Sequence, residues 1–157
     1  MGAAEHAQFR AEVQDLTRSE RATVELATRL LSARGTSVAL TLRDGELVRG
    51  VLVDAAAQWL LVGATGPQTL VPLSAVVMVS GLPPRSTELS EVDRRLGIGH
   101  ALRALARDRA RVFVGTAAGS VSGVIGAVGA DFIEVSTSVG SSVAVPMAAI
   151  TRVRSAG

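Results

Sequence analysis

The sequence predicts a mainly β protein with helices: two tandem five-stranded barrels, each preceded by an α-helix. Three observations predict it. The chain repeats itself, since "VRGVLVDAAAQWLLV" (Val48 to Val62) returns as "VSGVIGAVGADFIEV" (Val121 to Val135), and "LVPLSAVVMV" (Leu70 to Val79) returns as "AVPMAAITRV" (Ala144 to Val153). Within each copy, short apolar runs are cut by turn residues, which is the pattern of short strands. A helix-period segment precedes each copy. The resulting division is an N-terminal helix over 1–34, a first barrel over 35–82, a linker and basic helix over 83–109, and a second barrel over 110–157.

Taken in order, "SERATVELATRLLSARG" predicts a helix capped by Ser19, with Val24, Leu26, Leu30 and Leu31 toward one face and Gly35 as its stop. Residues 4–18 extend it upstream in a more polar form. Val38, Leu40 and Leu42 alternate with Ala39, Thr41 and Arg43 as a first strand, and Asp44-Gly45 turns the chain. Leu47 to Val53 is a second strand, bent at the interior Gly50. Trp59 to Val62 and Thr69 to Val71 are the third and fourth, Pro72 to Ala75 a tight turn, and Val76 to Val79 a short fifth. Five short strands with a bent second one suit a small barrel, which also hides strand edges. Pro83-Pro84 forbids helix in the linker. Ser90 and Asp93 then fit a capping box, with a helix running to about Arg109 and interrupted at Gly97-Ile98-Gly99.

Turn glycine, strand glycine and strand-opening aromatic recur together: Gly45 with Gly119, Gly50 with Gly123, Trp59 with Phe132, followed by Ala75-Val76 and Ala149-Ile150. On these residues each copy resembles the Sm-like fold, an SH3-like barrel behind a helix, with the bacterial RNA chaperone Hfq as the nearest likeness. The tandem arrangement also looks like uncharacterised two-barrel proteins of actinobacteria, some of them labelled regulators. The resemblance implies RNA binding and edge-to-edge oligomers. It departs at the basic pair that helps bind uridine-rich RNA in Hfq, where this chain has Leu73-Ser74 and Met147-Ala148. The polar-aromatic pair that contacts bases there is kept as Gln58-Trp59 and Asp131-Phe132.

Composition excludes several chemistries. The chain has no Cys and no Lys, so thiolate and Schiff-base catalysis are absent, as is a disulfide framework. His6 and His100 have no metal-ligand spacing, and no nucleophile motif appears. The expectation is a non-enzyme with no metal and no cofactor. No apolar run reaches membrane-spanning length and no signal pattern opens the chain, so a cytoplasmic protein is expected. All sixteen basic side chains are Arg, and with no Lys, Tyr or Cys to titrate, a net charge of +2 suffices for a pI near 10.8.

Charge placement says more. Residues 83–111 hold seven Arg against four acids, and the other segments are near neutral. The candidate nucleic-acid-binding residues are therefore Arg94, Arg95, Arg103, Arg107, Arg109 and Arg111. On a helix Arg103 and Arg107 share a face with His100, while Ile98, Ala101, Leu102 and Leu105 share the opposite one. That stripe could contact phosphates, or be a solvated face, or pair with acids of a partner subunit. Trp59 and Phe132 are candidate base-stacking residues, with barrel-core filling as the alternative. Gly97 and Gly99 could mark an anion site, or else a kink or close helix packing. Two functions follow: a nucleic-acid-associated, RNA-binding protein acting through backbone charge, or a protein-interaction or homo-oligomerising scaffold joined through barrel edges.

Overall fold

The fold is taken from a computed structural model, which describes residues 2–22, 24–63, 66–138 and 140–155. Four α-helices and ten strands are present among them. The helices are α1 (Ala3–Arg21), α2 (Leu26–Ser32), α3 (Glu91–Arg95) and α4 (Ile98–Arg107). The strands of the first half are β1 (Ser37–Leu42), β2 (Leu47–Ala55), β3 (Trp59–Val62), β4 (Thr69–Pro72) and β5 (Val76–Ser80). Those of the second are β6 (Arg111–Thr116), β7 (Gly119–Val128), β8 (Phe132–Ser138), β9 (Ser141–Pro146) and β10 (Ile150–Ser155). All pairings are antiparallel, in one sheet of order β5-β1-β2-β3-β4-β10-β6-β7-β8-β9. The halves follow the same internal order and meet where β4 pairs with β10, Leu70 opposite Val153 and Thr69 opposite Arg154.

Local chemistry explains the strands. Gly45 sits at φ +85°, a conformation that favours glycine, and Gly45 N closes the β1–β2 turn on Leu42 O at 2.8 Å. The register slips between Leu52 and Asp54 in β2 and between Ile125 and Ala127 in β7, so both second strands carry a bulge that bends them. A 3-10 turn follows Pro72 and another follows Pro146, each leading into the last strand of its half.

The helices depart in part from expectation. Residues 19–34 are not one helix: α1 runs through Ser19 to Arg21, and α2 starts anew after an extended Glu25 (φ −89°, ψ 152°). Ser19 therefore lies within α1, and any bond from its hydroxyl falls outside the described side chains. Val24 and Leu26 are exposed, and the buried face of α2 is Ala27, Leu30 and Leu31. Tertiary packing chooses the face here: Leu30 docks on the strands of the first half, while Ala27 and Leu31 pack with Leu89 of the linker. The linker behaves as expected. Asp93 N donates to Ser90 Oγ at 3.0 Å and Ser90 N donates to Asp93 Oδ2 at 3.3 Å, completing the capping box. Ser90→Ala should cost about 1 kcal/mol. In a chain of this size that lowers the thermal midpoint by about 2–4 °C, and an unchanged calorimetric midpoint would contradict the cap's role.

Two buried clusters organise the interior. Leu40, Leu42, Leu52, Leu60 and Val71 lie in the first, and Leu102, Val114, Ile133, Val135, Ile150 and Val153 in the second. Strands β3 and β4 serve both. Leu60, Val62 and Val71 face the first cluster, while Trp59, Leu61 and Leu70 face the second. Burial on both sides explains why these strands read as near-continuous apolar runs. Across the junction, Arg43 donates to Ala148 O at 2.6 Å and Ile150 O at 3.3 Å. Thr151, the one fully buried polar residue among those described, donates its hydroxyl to Asp44 Oδ2 at 2.9 Å. Arg152 lies 3.8 Å from both Asp44 and Glu46.

Candidate nucleic-acid interface

The six candidate arginines fall into two groups. Arg94 and Arg95 sit on α3 beside acids: Arg94 pairs with Glu25 at 3.5 Å and Arg95 with Glu91 at 3.8 Å. Arg103 and Arg107 stand on the exposed face of α4, Arg109 in the turn after it, and Arg111 at the start of β6. No ion pair involves these four among the described residues. The apolar face of α4 follows the expected spacing, with Leu102 fully buried and Ile98, Ala101 and Leu105 packed on the second cluster. His100 is exposed on the basic side.

Trp59 and Phe132, equivalent in sequence, have different surroundings. Trp59 is half-buried between β3 and α4, where its Nε1 donates to Leu96 O at 3.0 Å. It walls an apolar groove of about 310 Å³ with Leu61, Leu70, Leu96 and Leu105. Its contacts are with the second cluster, so it fills a junction rather than the core of its own half. Phe132 is half-buried over Gly129, where a Cβ would come within 2.8 Å of the ring's Cζ. The two rings belong to different surfaces. At Gly97 a Cβ would meet Gln58 Oε1 at 2.9 Å, so this glycine permits close packing of the α4 start on the first half.

A second basic surface was not anticipated. On β6, Val112 and Val114 point inward, so Arg111 and Phe113 point outward; on β10, Val153 points inward and Arg152 and Arg154 outward. Phe113 pairs with Arg154 on one side and with Ser122 of β7 on the other. These side chains line an open hollow of about 350 Å³. Period-two reading of "RVF" and "RVRS" would have put each pair on one face, but only the β6–β10 pairing brings the two pairs together.

Asp54 is 3.7 Å from Arg34, and Asp131 is exposed. Among the described residues no group of three or more His, Asp or Glu side chains could hold a metal ion, and no helix is long and apolar enough to cross a membrane. Compared with known proteins, the chain matches no family model and no curated protein sequence.

Proposed function

We propose that the chain is a non-catalytic, cytoplasmic nucleic-acid-associated protein, an RNA binder built as two tandem Sm-like barrels. The barrel reading is supported by the repeated strand order, the bulged second strands and the separate buried cluster in each half. It agrees with the likeness to Hfq and to the actinobacterial two-barrel proteins. The observation that carries the binding reading is the set of exposed guanidinium groups of Arg103, Arg107 and Arg109, which make no ion pair among the described residues. An apolar helix face fixes α4 against the sheet, so its basic face is held outward as a rigid stripe. Such a stripe contacts phosphates without reading sequence, with affinity that falls steeply as salt rises.

The test is binding of mixed single-stranded RNA and duplex DNA at low and moderate salt, with and without Arg103→Glu plus Arg107→Glu. Reversing two contacts should weaken binding about a hundredfold and flatten the salt dependence by roughly two phosphate contacts. No binding at low salt, or indifference to the double change, overturns the reading.

A second reading, an interaction scaffold that assembles through its strand edges, is favoured by one contrast. In β4 and β10, which pair with each other, Leu70, Thr151 and Val153 are buried. Their sequence equivalents Ala144, Val77 and Val79 on the unpaired sides of β9 and β5 are exposed or half-exposed, and Val77 is 60% exposed. The chain thus carries one edge junction internally and offers both halves of another. Measuring the mass of the native chain in solution tests this, and a strict monomer overturns it.

A further inference from the structure

We infer that the hollow between β6 and β10 is a binding site for one nucleotide unit of a single-stranded nucleic acid, its phosphate on Arg111 and Arg154 and its base against the Arg152–Phe113 stack. This rests on the nucleic-acid reading and deepens it, because a phosphate-tracking stripe alone has no place for a base.

The arginines of the hollow do different work. The Arg152 guanidinium lies 5.3 Å from the Phe113 ring centroid, within cation–π range. It is also held 3.8 Å from Asp44 and from Glu46. Two acids offset its charge and fix its position, so what it offers a ligand is a flat, pre-placed surface. Gly115, opposite Arg152 in the ladder, leaves room for this: a Cβ there would crowd Arg152 Cγ at 3.2 Å. Arg111 and Arg154 are exposed and make no ion pair among the described residues. They flank the Phe113 platform on the outer face of adjacent strands, Arg154 directly opposite Phe113 and Arg111 two residues before it.

Free guanidinium groups beside a fixed planar surface match a ligand with an anion at one end and a flat, weakly polar body at the other. Guanidinium binds phosphate in a fork geometry, and bases stack on aromatic and guanidinium planes. Ser122 adds a hydroxyl with no partner among the described residues, while the Ser155 hydroxyl is engaged with Gln68 at 3.1 and 3.3 Å. A hollow of about 350 Å³ is sized for one such unit rather than a run of bases, and its open form lets a strand enter and leave. A base in a duplex is stacked and paired, so the hollow selects single strands. Ser155 also borders the apolar groove between Trp59 and α4, so the hollow and that groove adjoin.

The experiment is fluorescence anisotropy of a short labelled oligoadenylate RNA, the matching DNA strand and a duplex, titrated with the full chain and three variants. Arg111→Gln plus Arg154→Gln should weaken both single strands about tenfold and leave the duplex nearly unchanged. Phe113→Leu should weaken the single strands without altering the salt slope, because it removes no charge. Photocrosslinking of a thiouridine-substituted strand, mapped by mass spectrometry, should mark residues 111–122 or 152–155 even if Phe113→Leu folds poorly. Equal loss for duplex and single strand, full displacement by inorganic phosphate as readily as by adenosine monophosphate, or crosslinks confined to α4 overturns the site. Binding lost only in Arg103→Glu plus Arg107→Glu rejects the hollow and keeps the nucleic-acid reading; no binding by any probe at low salt rejects both.

Discussion

Gly123→Val is expected to unfold the second half of the sheet, at a cost above about 3 kcal/mol. Gly123 lies in β7 where β8 passes closest. A Cβ there would fall inside the van der Waals envelope of Ser136 O, 2.8 Å from the Ser136 carbonyl carbon and 3.1 Å from Val135 Cγ1. The obstacle is backbone, held in the β7–β8 ladder by Val124 opposite Ser136 and Ile125 opposite Val135. It cannot retreat without breaking those pairings. The equivalent Gly50 meets a side chain rather than backbone, Val62 Cγ1 at 2.9 Å, and its cost comes from repacking that buried valine and from its own φ of +159°. Gly126→Ala is the control: its nearest neighbour would be Ser136 Oγ at 3.5 Å, ordinary contact. Denaturant unfolding should rank the three as Gly123 far worse than Gly50, and Gly50 worse than Gly126. Equal midpoints for Gly123→Ala and Gly126→Ala would refute the close approach.

Val77→Lys combined with Met78→Lys should reduce a multimer of the native chain to a monomer while leaving its circular dichroism unchanged. The internal junction supplies the template. Gly45 aligns with Gly119, so the Asp44 that engages Thr151 and Arg152 is replaced by Ala118 in the second copy. Thr151 and Arg152 are in turn replaced by Val77 and Met78 in the first copy. Val77 and Met78 are 60% and 61% exposed, whereas Thr151 is fully buried. Pairing β9 of one copy with β5 of the next, in the register of β4 with β10, opposes Ala144 to Val79 and Val143 to Ser80. It also brings an alanine turn onto two exposed apolar side chains, where the internal junction has ions. Two lysines there would be buried without partners, at several kcal/mol, enough to weaken association at least about a hundredfold. A native chain that sediments as a monomer, or a variant that keeps the native mass, sinks the prediction.

Much of the fold was legible because its causes are local. Asp44-Gly45, alternation in β1, the Trp59 to Val62 run and the Ser90–Asp93 box are each fixed by a few neighbouring residues. What was not legible is long-range. The β6–β10 pairing joins residues far apart in sequence, and without it Arg111 and Phe113 cannot be placed beside Arg152 and Arg154. The break between α1 and α2 was missed because Val24 and Leu26 keep helical spacing yet stay exposed; contact with the sheet and with Leu89, not periodicity, selects the buried face. For the candidate site, composition located the basic concentration but could not separate Arg94 and Arg95, which lie beside acids, from the four arginines that do not. The equivalence of Trp59 and Phe132 misled in the same way: alike in the repeat, they differ because α4 covers only the first.

The place of Trp59 makes the chain its own spectroscopic gauge. It is the one tryptophan, with no tyrosine to blur it, and it stands where β3, α4 and the second cluster meet. Its emission reports a single event, the parting of the two halves, since wetting the indole and freeing its bond to the Leu96 carbonyl would shift the light red. Far-ultraviolet signal follows the strands as a whole. Whether the two curves coincide during denaturation therefore reads out how strongly the twin halves melt together.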